Sequence, residues 1–404
     1  MTERERLGAL ARSLGLGALV GVVCGSASAL FLAALERATA LREERSSLVW
    51  ALPLAGLAIG ALYQRFGQPI QAGNNLVIDA IHDDGPELPL RMAPMVLIGT
   101  VLTHLFGGSA GREGTAVQMG ASLADALAQR LPWRSDRGLR RKLLAAGVAG
   151  GFGSVFGTPL AGAVFGLEFV VLGRIQYDAL LPALVASVVG DLVTRAWGIA
   201  HTPYPRVAEL PLTPLLTLKW LVFAGAVALT TIAFVELTHW LKRQGERWLP
   251  ALPLRMAAAG VAVVALWQLV GSSDYLGLGV PTIVRAFVDP TLPVYAFLAK
   301  LLFTALTLAG GFLGGEVTPL FFVGAALGNV LARALELPLA LGAGVGLAAV
   351  FGSAANTPLA LSIMAVELLG AAALPHVALV SVVAYLLTGP RGIYRAQRGQ
   401  KLLS

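Results

Sequence analysis

The amino-acid sequence predicts an all-α polytopic membrane protein with two internally repeated halves. Three observations support this prediction. The chain has 404 residues, of which 56% are hydrophobic and 13% charged, whereas a soluble domain carries about 25% charged residues. Long apolar runs recur from one end of the chain to the other, and lipid satisfies no open strand edge, so helices are the expected spanning elements. Three short segments of the first half also recur in the second half.

Interruptions in the apolar runs predict broken helices. Glycine accounts for 47 residues and proline for 22, and both divide the runs. Many uninterrupted stretches are therefore shorter than the ~20 residues that one crossing needs. In transporters, such partial helices place irregular backbone around a cavity at mid-membrane depth. The longest runs lie at residues 14–35, 143–172, 215–235 and 341–373.

An internal duplication is indicated by three pairs of similar segments in the same order. The pairs are AGNNLVIDA at residues 72–80 with LGVPTIVRA at 278–286, GGSAGREGT at 107–115 with GGFLGGEVT at 310–318, and GSVFGTPLAGAVFGLE at 153–168 with GSAANTPLALSIMAVE at 352–367. Their offsets of 206, 203 and 199 residues are nearly constant. Such a duplication points to a transporter whose site lies between the repeats, which are inverted if each half crosses the membrane an odd number of times.

The connection between the halves is expected at residues 198–214, where prolines and polar residues interrupt the apolar pattern. We therefore predict a first transmembrane repeat at residues 1–200. The second repeat is predicted at residues 201–404 and includes a short C-terminal cytoplasmic tail.

The basic residues predict the orientation of the chain rather than a nucleic-acid partner. The formal net charge is +7, and lysine and arginine cluster between apolar runs at residues 130–142, 242–247 and 391–401. Loops rich in these residues tend to stay in the cytoplasm. The five histidines are scattered without the spacing of metal ligands. We therefore expect no nucleic acid, no metal and no organic cofactor.

Glycine-rich segments before two apolar helices predict an anion site. Glu113 and Glu316 stand at matching places, each followed two residues later by threonine. The first N–H groups of a helix have no internal partner, and the helix dipole adds partial positive charge there. Two such helix starts facing each other would bind an anion, together with the amides of Asn74 and Asn75, although these asparagines are equally typical of a turn or helix cap.

A carboxylate at the same place would compete with the anion for those donors. Protonation removes the competition, which links anion occupancy to proton occupancy. Structural explanations remain open: Glu113 can form an ion pair with Arg112, and acidic residues such as Glu316 are common near helix starts. Glu168 and Glu367 end apolar runs at matching repeat positions, where an interfacial or structural role is expected.

The segment GGSAG also fits the G-x-S-x-G pattern of serine hydrolases, with Ser109 as nucleophile. That elbow requires a strand before the serine in a soluble α/β sheet, whereas Ser109 follows an apolar run. An intramembrane protease using His82 or His104 as base would avoid this objection. It would leave the duplication unexplained, so we expect a protein that is not an enzyme.

At these residues the chain resembles the CLC family of chloride channels and anion/proton antiporters. The family usually has GSGIP, GREGP and GxFxP stretches around its anion site and a tyrosine near the C-terminus. The matching stretches here are GNNLV at residues 73–77, GREGT at 111–115 and GEVTP at 315–319, with Tyr394 in RGIYRAQ. The resemblance covers residues 10–400 approximately, nearly the whole chain.

The resemblance implies the CLC fold, with two inverted halves of many tilted and partial helices. It makes Glu113 the gating glutamate, which moves in and out of the anion path and carries protons. Tyr394 would lie at the inner end of the site, although an interfacial aromatic also fits its position. The implied anion-binding residues are Asn74, Asn75, Gly111, Gly114, Glu316, Val317, Thr318 and Tyr394.

At four positions the chain departs from the usual family pattern, and these departures indicate one branch of the family. Asn74 stands at the chloride-contacting serine, Val317 at the usual phenylalanine and Thr115 at the proline. Phe169 stands where chloride/proton exchangers often keep an inner proton-transfer glutamate. Together these segments look like the bacterial fluoride/proton antiporter branch, and an amide donor suits the small fluoride ion. The missing inner glutamate leaves Glu316, water or the gating side chain itself to complete the proton route.

We therefore expect a secondary active transporter that exports fluoride in exchange for inward protons. A chloride/proton antiporter of the same family and a passive anion channel gated by Glu113 remain alternatives. The resemblance implies a homodimer with one pathway per subunit, in contact with lipid in a bacterial inner membrane. Small-residue spacings at residues 56–60 (GLAIG) and 342–346 (GAGVG) permit tight helix packing within or between subunits.

Overall fold

The computed structural model describes residues 3–82, 85–132 and 136–399. These residues form sixteen α-helices and four short 3-10 turns. Their only β-type pairings are isolated bridges outside any strand. Seven helical segments of the described chain are long and apolar enough to cross a membrane, and several shorter apolar helices accompany them. The predicted all-α, multi-pass architecture with partial helices is confirmed.

The two halves contain the same succession of long and short helices. The first half has α1 Glu3–Glu44, α2 Leu52–Phe66, α3 Asn74–Ile81, α4 Met92–Leu105, α5 Glu113–Arg130, α6 Arg137–Phe156, α7 Pro159–Glu168 and α8 Leu180–Ala196. The second half has α9 Pro214–Trp248, α10 Leu252–Val270, α11 Val280–Ala286, α12 Ala296–Gly310, α13 Val317–Leu335, α14 Leu339–Ala355, α15 Pro358–Leu369 and α16 Leu374–Thr388. Each helix of the first half thus has a counterpart eight places later. The division at residue 200 falls between α8 and α9.

The long apolar run at residues 143–172 is divided into α6 and α7. Gly157 ends α6 with φ of 72°, a left-handed conformation that glycine adopts without strain. Pro159 then opens α7, where its missing N–H costs no hydrogen bond. The second half repeats this break, because Asn356 ends α14 with φ of 59° and Pro358 opens α15.

The small-residue spacings pack helices inside one subunit. Gly324 of α13 and Gly346 of α14 lie so close that a Cβ on either would overlap the other's carbonyl oxygen. Gly56 and Gly60 of α2 also lie close to the backbone of α10, where a Cβ would come within 2.8 and 2.5 Å of it. Small residues allow such close approach of membrane helices. Both spacings are therefore used within the chain.

Burial separates a central group of helices from an outer group. The residues of α14 from Leu341 to Ala355 are all buried, and α5, α6 and α13 are nearly as enclosed. The outer helices instead expose large apolar side chains such as Leu30, Leu229 and Leu269. An apolar outer surface is what lipid requires of a membrane-embedded chain. The matched glycine-rich segments lie at the enclosed centre.

Candidate functional site

The glycine-rich segments of the two halves meet at the centre of the molecule. Gly111 N donates to Gly315 O at 2.6 Å, and Gly315 N donates to Gly111 O at 2.8 Å. This bridge brings the N-termini of α5 and α13 together, so the prediction that the two helix starts face each other is confirmed. A Cβ at position 315 would lie 2.7 Å from Gly114 N. Only glycine therefore permits this close approach.

The Glu113 carboxylate reaches across to the first turn of α13. Its side chain is fully buried. Thr318 donates twice, from Oγ1 to Oε1 at 2.5 Å and from its backbone N to Oε2 at 3.2 Å. Oε2 also accepts from Arg112 N at 3.1 Å. The carboxylate thus occupies donors of a helix N-terminus, where an anion would otherwise be bound.

The ion pair expected as an alternative is present as well. Arg112 Nε lies 3.4 Å from Glu113 Oε1, and this nitrogen makes no hydrogen bond within the described residues. The pairing is therefore a charge interaction rather than a directed contact. It balances the buried carboxylate without replacing the donors of Thr318, so the two explanations of Glu113 coexist.

A cavity of about 370 Å³ leads towards this centre from the basic side of the molecule; we call it the inner vestibule. Its lining includes the exposed residues Lys242, Glu246 and Arg395, and it extends to the buried side chains of Asn74 and Tyr394. The basic segments are those expected in the cytoplasm. Gln118, Asn75 and Glu316 are further polar residues of its lining. Glu113 lies beyond this lining, behind the bridge of glycines.

Asn74 and Tyr394 lie together at the deep end of the vestibule. The Asn74 side chain interacts with the Tyr394 hydroxyl, and Asn74 Oδ1 has no hydrogen-bond partner among the described residues. A Cβ on Gly114 would lie 3.0 Å from Asn74 Nδ2, so the amide borders the start of α5. The amide group at position 74 is therefore placed beside the helix start that was expected to bind the anion.

Asn75 differs from its neighbour in what its side chain does. It lines the vestibule, but its Oδ1 accepts from Ala396 N at 3.0 Å. This hydrogen bond ties the segment that carries Tyr394 to α3. The Asn75 amide therefore holds the tyrosine segment in place, in addition to bordering the cavity.

Glu316 occupies the N-cap position of α13 and lines the vestibule. Its Oε2 is buried and has no hydrogen-bond partner in the described part of the chain. Val317 and Thr318 lie behind it and do not border the cavity. Phe169 is fully buried and packs edge-on against Tyr394 at 4.9 Å between ring centroids. The position of the absent inner glutamate is thus filled by an aromatic contact.

Three residues near the site were not predicted as site residues, although one of them, Thr115, departs from the usual family pattern. Gln118 lines the vestibule from α5, and Thr115 Oγ1 lies 2.7 Å from Thr100 Oγ1. Tyr204, from the connection between the halves, lies within electrostatic range of Arg112 and Glu113. An intramembrane polar residue is itself a functional signal, which would have identified Gln118. The approach of Tyr204 depends on the path of a loop and has no such signal.

Ser109 fixes the glycine-rich loop to α12. Its Oγ lies 2.9 Å from Thr304 Oγ1, and its N donates to Thr307 Oγ1 at 3.1 Å. Both ring nitrogens of His104 are within hydrogen-bond distance of backbone carbonyls instead. Ser109 and His104 thus do not form the pair that a serine hydrolase would need.

Glu168 and Glu367 form a reciprocal pair of caps. Glu168, at the end of α7, accepts from the N–H groups of Leu359 and Ala360 at 3.2 and 2.8 Å. Glu367, near the end of α15, accepts from Leu160 and Ala161 at 2.9 and 2.8 Å. Each carboxylate caps the short helix of the other half. The structural role expected for both is confirmed.

Comparison with known proteins identifies clear relatives. Residues 55–389 match the family described as voltage gated chloride channel. The "Chloride/fluoride channel protein" of Pseudomonas syringae pv. tomato is 50% identical over 396 residues, covering 96% of this chain and 87% of that protein. The crystal structure of a CLC-type fluoride/proton antiporter has 36% identity and a TM-score of 0.93, covering 98% of this chain and 100% of that one. A slow cyanobacterial Cl⁻/H⁺ antiporter shares the fold, with 18% identity, a TM-score of 0.81 and coverage of 93% and 94%.

Proposed function

Because the chain belongs to the voltage-gated chloride channel (CLC) family and is a CLC-type anion/proton transporter, we propose that it exports fluoride in exchange for protons entering the cell. The observation that carries this proposal is the Glu113 carboxylate held by Thr318 of the opposite half. A titratable group there can be displaced by an anion only at the cost of its hydrogen bonds. Protonation weakens its hold on those donors, which couples the two ions.

In the proposed cycle, fluoride enters the inner vestibule and passes Asn74 towards the first turn of α13. There it replaces the carboxylate on Thr318 N and Oγ1, while Glu113 takes up a proton from outside and swings away. When the proton is released inward, the carboxylate returns to Thr318. Glu316 is our candidate for the inner part of the proton route, because this residue lines the vestibule and one of its carboxylate oxygens is buried without a partner in the described part of the chain.

Fluoride is the anion favoured by the donors around the path. Fluoride is small and accepts strongly from N–H and O–H groups, and the amide of Asn74 and the hydroxyl of Thr318 supply such groups near the glycine bridge. The structure named as a fluoride/proton antiporter is 36% identical to this chain and the relative named for both chloride and fluoride is 50% identical, whereas the chloride/proton antiporter shares 18%. These similarities support fluoride over chloride.

We further propose a homodimer with one pathway per subunit, in a bacterial inner membrane. The short helices α7 and α15 and their neighbours α8 and α16 expose leucines on the outer surface. Examples are Leu160, Leu192, Leu359 and Leu387. Photobleaching of singly labelled protein in membranes is expected to show two steps per particle.

Purified protein in liposomes loaded with equimolar fluoride and chloride tests the choice of anion. An ion-selective electrode for each anion follows efflux from the same preparation. We expect fluoride efflux to exceed chloride efflux at least about tenfold, a difference of roughly 1.4 kcal/mol in transport barrier. Equal rates would show a chloride/proton antiporter or an unselective pathway.

A further inference from the structure

A second cavity of about 530 Å³ lies between the inner ends of three helices; we call it the lateral groove. It opens between the end of α9, the start of α10 and the end of α12. Its walls carry tryptophan, leucine, alanine and glycine: Trp240, Leu241, Gly245, Trp248, Leu249, Ala258, Ala259, Ala262, Leu306, Ala309 and Gly310. Gln244 and Arg255 are its polar residues. The groove is therefore an apolar slot with one charged group.

The rim of the lateral groove lies at the outer surface of the chain. Trp240 is 49% exposed and Trp248 is 76% exposed. Tryptophan is enriched at the membrane–water interface, because its amphipathic ring can contact both lipid and the polar headgroup region. The adjacent residues Lys242, Arg243 and Arg247 are exposed on the same helix end. The groove thus lies beside the basic segment that the sequence predicts to face the cytoplasm.

Arg255 connects the lateral groove with the inner vestibule, because its side chain lines both cavities. Its Nε is buried without a hydrogen-bond partner in the described residues. The stem packs against Gly245, where a Cβ would lie 3.0 Å from Arg255 Cδ. A guanidinium donor in an apolar setting is strongly unfavourable unless an acceptor reaches it, and an anionic oxygen is the strongest acceptor.

We propose that the lateral groove binds an anionic glycerophospholipid of the inner leaflet. One acyl chain fills the apolar slot and the phosphate accepts hydrogen bonds from Arg255. The positive charges of Lys242, Arg243 and Arg247 attract anionic headgroups to this end of α9. A free inorganic anion would match Arg255 but would leave the apolar walls without an occupant. The bound headgroup would lie at the wall of the inner vestibule, next to the route of the transported anion.

Native mass spectrometry of the purified protein tests this proposal by titration with phosphatidylglycerol or phosphatidylcholine. We expect phosphatidylglycerol to bind the wild type more tightly. Arg255→Gln should weaken that binding roughly fivefold, the effect of one basic side chain near a membrane surface. Arg206→Gln is the matched control, because this exposed arginine of the connection between the halves lines neither cavity, and it should bind as the wild type does. Ala262→Phe fills the slot while keeping the charge, and it should also lose the bound lipid.

Three results would overturn the proposal: equal binding of both lipids, unchanged phosphatidylglycerol binding by Arg255→Gln, or unchanged binding by Ala262→Phe. If Arg255→Gln slows fluoride efflux without altering lipid binding, Arg255 serves the vestibule alone and the lipid site is refuted. Should Arg255→Gln fail to fold, Ala262→Phe decides. Lipid binding is measured without transport, so its outcome is independent of the proposed exchange of fluoride and protons.

Discussion

Glu113 and Glu316 stand at matching positions of the two repeats, yet their carboxylates meet different surroundings. Glu113 is held by both donors of Thr318 and by Arg112 N. Glu316 occupies the N-cap position of α13 without a side-chain cap hydrogen bond, lines the vestibule, and has one buried oxygen without a partner among the described residues. The same sequence motif therefore gives a hydrogen-bonded carboxylate in one half and, in the other half, a partly unpartnered carboxylate on a residue that lines the cavity.

The second matched pair of glutamates, Glu168 and Glu367, is called the outer pair here, and its two carboxylates have similar surroundings. Glu168 and Glu367 each accept two backbone hydrogen bonds from the opposite half, with nearly the same distances. The two halves thus make equivalent contacts where the matched carboxylates cap helices. They make different contacts where the carboxylates lie at the proposed ion path. The contrast teaches that the symmetry of the fold does not carry over to the chemistry of its centre.

The largest expected effect comes from Glu113→Gln. The amide keeps the size of the side chain but cannot carry a proton, so proton influx coupled to fluoride efflux should fall by about 100-fold, as when a positioned proton-transfer group is removed. Internal pH and external fluoride recorded together in proteoliposomes measure this loss. Coupled proton influx at the wild-type level would show that another group carries the proton.

Glu316→Gln tests the other member of the central pair. If Glu316 forms the inner proton route, coupled proton influx should fall by about tenfold, less than the roughly 100-fold or more typical of a positioned proton-transfer group, because water can also carry protons on this side. Fluoride binding measured by calorimetry should change little. The combination separates a proton carrier from an anion-site residue. Loss of fluoride binding with intact coupling would assign Glu316 to the anion site instead.

Thr318→Val removes the hydroxyl that donates a hydrogen bond to Glu113 and leaves the backbone N–H donor of residue 318 in place. A hydrogen bond to a charged acceptor contributes about 1.5–3 kcal/mol, so fluoride binding should weaken about tenfold or more. Because the Glu113 carboxylate is retained, the ratio of protons to fluoride should persist. Thr318→Ser keeps the hydroxyl and serves as the control, and equal affinities of the two variants would remove Thr318 Oγ1 from the anion site.

The smallest effect is expected for the outer pair. Glu168→Ala and Glu367→Ala each remove a helix cap, which costs about 1 kcal/mol, so both should lower the midpoint of thermal unfolding in detergent by similar amounts. Glu209→Ala, at an exposed position of the connection, should leave it unchanged. A much larger decrease of the midpoint in one variant would mean that the two caps are alike in geometry but contribute unequally to stability.

The sequence predicts the helical class, the repeat and the meeting of the two glycine-rich segments, because these follow from hydropathy and from matched spacing. It does not predict that Asn75 turns to Ala396 N while Asn74 stays at Tyr394. Nor does it place Tyr204 near Glu113, or Arg255 between two cavities. Those details depend on loop paths and on contacts between distant segments, since 91 residues separate Tyr204 from Glu113 and 321 separate Asn75 from Ala396, and local patterns do not encode such contacts.

The most direct test of fluoride/proton exchange uses wild-type protein in liposomes with equal pH on both sides and fluoride only inside. We expect fluoride efflux to drive protons inward, so that the interior becomes more acidic against the growing proton gradient. Chloride in place of fluoride should give little acidification. Fluoride efflux without a change of internal pH, with the membrane voltage clamped by potassium and valinomycin, would contradict the account and indicate a passive channel.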